Sequence, residues 1–305
     1  MYGLPRFRLT APPTRSYVTL GKGFQTAKSL QWQNKSKKKE LSIPGFSAND
    51  PAVFKEAFND MPAAEKWFTK NGTFRYPSGL NTEYLRQYGD ALVPLELTRA
   101  SADNIQNETF ERFEAPLSLL LAHMGATEPQ DTRLYLAQHS LADLPEALRA
   151  DLPTPSTFLS HLNAGGDIYA SSLWMGKPPT RTPLHRDPNP NLFVQLAGKK
   201  TIRLMRPEVG RQVYARVRQQ IHGSSGGATM RGEEMMQGAE MEALETAVWG
   251  GDEHGMDGVP GWEATLRSGD ALYIPLGWWH AVRGVGRGAN ASVSTRQKSV
   301  GKCSL

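Results

Sequence analysis

The stretch from Thr182 to Pro207 constrains the fold more than any other part of the chain. It reads Thr-Pro-Leu-His185-Arg-Asp187-Pro-Asn-Pro-Asn191, then the apolar run Leu192 to Leu196, a turn at Gly198, and a second β-like run from Thr201 to Met205. In an extended strand, residues two apart point to the same face, so His185 and Asp187 aim one imidazole and one carboxylate at a common point. A His-x-Asp triplet alone carries little information. Its context carries more. Further along, Asp270-Ala-Leu-Tyr-Ile-Pro-Leu-Gly-Trp-Trp-His280 is a second strand-like run that ends in a histidine. Two histidines and a carboxylate on one side of a metal leave three coordination positions open, the donor set that suits non-haem Fe(II) oxygenases. The order of runs and turns is that of a double-stranded β-helix, with its ligands on neighbouring strands.

Several further positions fall in register with these. His185-Arg-Asp187, Asn191, Gly198, Lys200 and the run Gly269 to His280 together resemble the Jumonji-C (JmjC) family, over roughly residues 90 to 293. The likeness is to its small, stand-alone protein-hydroxylase branch. The resemblance implies a mainly β jelly-roll (cupin) barrel with helical decoration, which binds Fe(II) through His185, Asp187 and His280 and takes 2-oxoglutarate as co-substrate. It also implies that Lys200, fifteen residues after His185, binds the far carboxylate of 2-oxoglutarate, assisted by Thr182 and Tyr135, with Asn191 in the same pocket. A buried lysine needs a partner, and a dianionic co-substrate supplies one. Tyr135 reads equally well as a core tyrosine. The chain departs from the family pattern in its last core strand, where Ser-Val-Asn followed by aromatics is usual. Here the sequence is Ala291-Ser-Val-Ser294-Thr-Arg-Gln-Lys. That leaves the role of Ser294 open and predicts a frayed final strand.

Composition fixes the remaining limits. The 305 residues, 39% of them hydrophobic, suffice for one decorated β domain over residues 40–305. Its helical part is expected over 47–124 and its barrel over about 130–294. No apolar run approaches the ~18 residues of a membrane span. The one cysteine, Cys303, rules out an intrachain disulfide framework and a thiolate cluster, which fits a reducing, intracellular setting rather than secretion. The formal charge of +5 is uneven: residues 1–39 hold nine Lys or Arg and no acid, leaving 26 basic against 30 acidic residues elsewhere. The domain thus carries no strong nucleic-acid signal. Residues 1–39 are expected outside the fold, as a basic tail, a mitochondrial transit peptide or a nuclear signal.

Along the chain, helices are expected from Ser47-Ala-Asn-Asp-Pro51 through Phe58, from Pro62 to Phe68, from Leu80 to Tyr88 and from Phe110 to Met124. Strands are expected at Val93–Leu97, where Pro94 argues for a sheet edge, at Leu134–Gln138 and at Ile168–Met175. Glu208 to Gly261 reads as a helical insertion, helical at Arg211–Gln220 and Glu233–Trp249. Its acids (Glu233, Glu234, Glu240, Glu242, Glu245) and methionines (Met230, Met235, Met236, Met241) fit either a surface for a basic peptide or a packed amphipathic helix.

The resulting expectation is a dioxygenase using O2 to hydroxylate a protein side chain. The alternatives are an N-methyl-lysine demethylase, a tRNA-base hydroxylase of the same family, and a cupin binding protein without turnover.

Overall fold

A computed structural model describes residues 23–32, 43–70, 76–99, 109–128, 130–162, 167–222, 238–250 and 259–298. Strands dominate. In chain order they are β1 (Phe24–Thr26), β2 (Ser29–Leu30), β3 (Ala52–Phe54), β4 (Phe68–Thr69), β5 (Gly79–Leu80), β6 (Leu92–Arg99), β7 (Thr109–Pro116), β8 (Thr132–Ser140), β9 (Ile168–Gly176), β10 (Thr180–Arg186), β11 (Asn191–Ala197), β12 (Lys199–Met205), β13 (Gly261–Arg267), β14 (Ala271–Ile274), β15 (Trp279–Val285) and β16 (Asn290–Gln297). The helices are α1 (Pro62–Lys66), α2 (Thr82–Arg86), α3 (Leu117–Gly125), α4 (Glu146–Ala150), α5 (Ser156–His161), α6 (Pro207–His222) and α7 (Gly238–Trp249).

Two sheets make the sandwich. One has five strands in the order β1-β13-β12-β15-β10, the other nine in the order β2-β3-β14-β11-β16-β9-β8-β6-β7. The jelly-roll is therefore present as two facing sheets, not as a closed barrel. The chain alternates between them: β10 and β12 lie in the five-stranded sheet, whereas β11 between them lies in the other. At the β11–β12 turn Gly198 has φ +69°, and a Cβ there would sit 2.5 Å from the Ala289 carbonyl oxygen. Only glycine turns the chain here without strain.

Three apolar clusters hold the layers. The largest packs the outer face of the nine-stranded sheet against the helices before it, through Phe54, Trp67, Leu95, Leu120 and Leu136. A second lies between the sheets around Phe193, Ile202, Leu266 and Leu272. The third joins the insertion helices to the five-stranded sheet through Val213, Val217, Leu244, Val248 and Trp279. Gly210 lets α6 approach Trp279, because a Cβ there would meet the indole at 2.2 Å.

Several local expectations change. The helix expected from residue 47 through Phe58 is replaced by strand β3 and turns. Ala52, Val53 and Phe54 are all buried, and pairing with β14 outweighs the local Asn-Asp-Pro start signal. The helix expected over Phe110–Met124 is half strand: Thr109–Pro116 pairs with β6 along its length, and the helix begins only after Pro116. Strand β6 is interior rather than an edge, but its pairing with β8 starts at Leu95, so Pro94 lies in a part flanked by β7 alone. The run from Asp270 to His280 breaks at Pro275 into β14 and β15, which lie in different sheets.

Part of the segment expected outside the fold also lies within it. Phe24–Thr26 pairs in parallel with β13, and Ser29–Leu30 pairs with β3, so the basic character of residues 1–39 did not mark a boundary. The rest of that segment, residues 1–22 and 33–39, lies outside the described residues. The expected fraying at the C-terminal end is absent: β16 runs to Gln297 between β11 and β9, with every residue buried. The helix expected over Leu80–Tyr88 is present but shorter, as Thr82–Arg86, with Asn81 capping it by accepting the Tyr84 N–H, and the insertion is helical at Pro207–His222 and Gly238–Trp249.

Candidate metal and co-substrate site

His185 and His280 are cross-strand partners on β10 and β15, and Asp187 follows β10 directly. Their ligand atoms lie within 4.8 Å of one another, and the two imidazole centroids are 4.2 Å apart. Both Nδ1 atoms are engaged with backbone carbonyls, His185 with Pro183 at 2.9 Å and His280 with Trp278 at 3.3 Å. If each Nδ1 donates, each Nε2 keeps a free lone pair, the tautomer that metal ligation requires.

Two of the three ligands are biased toward their proton-free forms. Burial, reinforced by His185, pushes the His280 pKa down to about 3. For Asp187 burial works upward, but His280 and His185 whenever they are protonated, and Arg296 at every pH, oppose it and prevail, holding the carboxyl below its ordinary value. Since His280 is neutral at pH 7, its 3.8 Å approach to Asp187 is not an ion pair, and Arg296 is the permanent charge in the group.

Every other residue expected at the site lines the same small cavity: Tyr135, Thr182, Asn191 and Lys200. Thr182 is three residues before His185, a spacing that would put the two on opposite faces of a regular strand. A register shift between them restores a common face. Lys200 is 2% exposed. Its ammonium donates to the Ser292 hydroxyl at 2.6 Å and the Tyr135 hydroxyl at 3.2 Å, and no carboxylate accompanies it among the described residues. Burial lowers its pKa to about 7. Tyr135 is kept a neutral phenol, raised by burial and by Glu96. Asn191 turns toward the metal carboxylate instead: its amide donates to Asp187 Oδ2 at 3.0 Å. Ser294 faces the cavity, 3.5 Å from the same amide.

Three participants escaped the sequence reading. Ser292 holds Lys200. Arg296 contacts Asp187. The Trp174 indole N–H lies buried on the cavity without a partner. A period-two reading of β16 would have found two of them, because Ser292, Ser294 and Arg296 alternate along one face. The remaining histidines act structurally or lie elsewhere. His123 accepts the Leu134 N–H, His139 is buried in the sheet, and the side chains of His222 and His254 are outside the described residues.

These residues suit the groups they would hold. Two oriented imidazoles and one carboxylate fit a divalent metal, and an ammonium buried without an acid fits the anionic end of a ligand whose other end reaches that metal.

The chain matches the Cupin-like domain family over residues 45–295. It is 27% identical to the protein named lysine-specific demethylase JMJ30 of Arabidopsis thaliana, over 84% of this chain and 53% of that protein. It is 26% identical to Jumonji C domain-containing protein 5 of Drosophila melanogaster, over 80% and 54%. It is 28% identical to lysine-specific demethylase 8 of Danio rerio, over 66% and 45%. The chain spans about half the length of the curated relatives it matches. With this match and this His-Asp-His cluster, the chain belongs to the cupin-like JmjC family of Fe(II)- and 2-oxoglutarate-dependent oxygenases.

Proposed function

We propose that this oxygenase hydroxylates an uncharged side chain of a protein substrate. His185, Asp187 and His280 hold the iron, while Lys200, Thr182 and Tyr135 hold the distal carboxylate of 2-oxoglutarate. Iron and 2-oxoglutarate together supply the oxidising power for inserting one oxygen atom of O2 into a C–H bond. The chain's own residues orient that chemistry. The tethered imidazoles fix the metal's position. Ser292 and Tyr135 aim the Lys200 ammonium at the co-substrate. Lys200, Asp187 and His280 are themselves buried on the wall of the cavity.

The observation that carries the choice of substrate is the charge of the cavity. It already contains two cations, Lys200 and Arg296, against one carboxylate, Asp187. Fe(II) and the 2-oxoglutarate dianion cancel, so the loaded site keeps that net positive charge, and a methylammonium group brought beside the metal would add to it at low dielectric, which is unfavourable. A neutral side chain carries no such cost. The demethylase reading is favoured by a different observation, the names of two of the relatives. Both readings share hydroxylation of a carbon atom; they differ in whether that carbon leaves afterwards.

The described insertion helices give less support to a basic peptide. Glu240 is buried on Tyr214, Glu245 pairs with Arg283, and Met241 is packed inward, so this part behaves as a packed amphipathic helix. Glu233, Glu234, Met230, Met235 and Met236 lie outside the described residues.

The test is mass spectrometry of candidate peptides incubated with protein, Fe(II) and 2-oxoglutarate, together with succinate measurement. A gain of about 16 Da supports hydroxylation, and loss of about 14 Da from a methyl-lysine peptide supports demethylation. His280→Ala should abolish succinate formation. Undiminished succinate in that variant would remove His280 from the metal site.

A further inference from the structure

We propose that Arg296 is a positioning residue that confines Asp187 to a single metal-binding oxygen. This rests on the reading of His185, Asp187 and His280 as the metal site. The argument starts from β16. Arg296 is the register partner of Asn191 on one side and Ala170 on the other, near the end of an entirely buried strand. Pairing on both sides fixes its Cα. Only 8% exposed, it directs its guanidinium at Asp187.

The contact is one-sided. Arg296 Nε donates to Asp187 Oδ1 at 3.1 Å, and a terminal guanidinium nitrogen lies 3.0 Å from that same oxygen. The other oxygen, Oδ2, accepts one bond, from Asn191 at 3.0 Å, and it is the oxygen 3.8 Å from His280 Nε2. A carboxylate oxygen has about two lone-pair sites. On Oδ1 the Arg296 Nε–H takes one and the neighbouring guanidinium nitrogen, 3.0 Å away, crowds the other; on Oδ2 one is left. Chelation through both oxygens would require breaking a buried, charge-assisted pair, which is costly. The consequence is coordinative. A carboxylate that closes over a metal with both oxygens consumes a position the reaction needs, and a pinned Oδ1 keeps it open. A purely structural arginine would neutralise a buried acid and stop there, and the two roles predict different coordination.

Water proton relaxation of the Mn(II)-loaded full-length protein, without co-substrate, separates them. The wild type should show about three exchanging waters on Mn(II), the number left by three protein ligands on a six-coordinate ion. Arg296→Met keeps bulk, removes both donors and should fall to about two, as Asp187 closes onto the metal through both oxygens. Arg296→Gln, also neutral, should do the same and serves if the methionine variant does not fold. Arg296→Lys retains a cationic donor and should restore about three. Three waters in the neutral variants as in the wild type would overturn the proposal while leaving the metal site intact. A wild type that binds no Mn(II) would overturn the metal site, and the proposal with it.

Discussion

Lys200 and Arg203 are two cations buried on one strand, three residues apart and so on opposite faces of β12. The chain treats them differently. On the outer face Arg203 is fully provided for: Nε pairs with Glu263 at 2.8 Å, Nη1 donates to the Val248 carbonyl, and the guanidinium lies 4.6 Å from the ring centroids of both Phe24 and Trp249. It fastens the end of α7 to the five-stranded sheet. On the inner face Lys200 has two hydroxyls, the rings of Phe193 and Tyr135, and no acid. Desolvation costs both cations, but among the described residues only one is paired with an acid. A cation paired inside the protein is a structural tie. One left with neutral partners in a cavity is waiting for an anion.

The largest effect should come from breaking the outer pair. Glu263→Gln leaves Arg203 charged and buried without a counter-charge, and should destabilise the fold by about 3–5 kcal/mol in chemical denaturation. Co-substrate affinity in the surviving folded fraction should not change. If that affinity collapsed as well, the two faces of β12 would not be independent.

The inner cation should behave in the opposite sense. Lys200→Met should weaken 2-oxoglutarate binding about 100-fold, or ~2.7 kcal/mol, while Mn(II) binding persists. The same substitution should stabilise the ligand-free protein by about 1–4 kcal/mol, as replacing an uncompensated buried charge does. Wild-type co-substrate affinity in this variant would break the comparison outright, since Lys200 would then have no ligand to wait for.

A pH series sharpens the same contrast. The folded pKa of Lys200, about 7, lies below its unfolded value of 10.5. Between these values the unfolded chain holds a proton that the folded chain releases, so this residue makes stability rise with pH from 7 to 10.5 and adds no slope below 7. The difference in slope between wild type and Lys200→Met should approach about 1 kcal/mol per pH unit in that window, measured on ligand-free protein. Affinity for 2-oxoglutarate should fall over the same range, because the dianion requires the ammonium form. A slope that is unaltered by Lys200→Met would mean that the lysine is not desolvated.

The metal triad, and the buried lysine proposed to hold the co-substrate, were legible because such chemistry needs particular side chains at particular strand spacings. His185 and Asp187 announce a shared face by being two apart, and Lys200 follows a glycine turn on the next strand of the same sheet. What escaped was decided by tertiary partners. Ala52–Phe54 carries a helix-start signal but is a strand because β14 lies alongside it. Thr109–Pro116 has helical spacing of apolar residues, and β6 makes it a strand. Arg296 lay in the strand expected to fray. Its burial depends on β9 and β11 flanking it and on a carboxylate brought close by another turn of chain. Apart from β6, the strand just before β7, these partners are distant in sequence, so no local pattern could announce them.

The smallest effect tests whether the neutral partners of Lys200 act through its charge. Ser292 Oγ accepts from the ammonium at 2.6 Å in a fully buried setting. Ser292→Ala removes that acceptor and should cost the ligand-free fold about 1 kcal/mol, the typical net value of one hydrogen bond. Serine and alanine differ by one small atom, so a cost that came from packing would be the same whatever residue stands at 200. A double-mutant cycle decides between these sources. In the Lys200→Met background there is no ammonium to satisfy, and Ser292→Ala should be close to neutral, giving a coupling of about 1 kcal/mol. With 2-oxoglutarate bound, the co-substrate carboxylate takes over part of the serine's work, and the cost of Ser292→Ala in the wild-type background should shrink. Equal costs in all three situations would make Ser292 a packing residue and leave Tyr135 as the one neutral group that positions the charge.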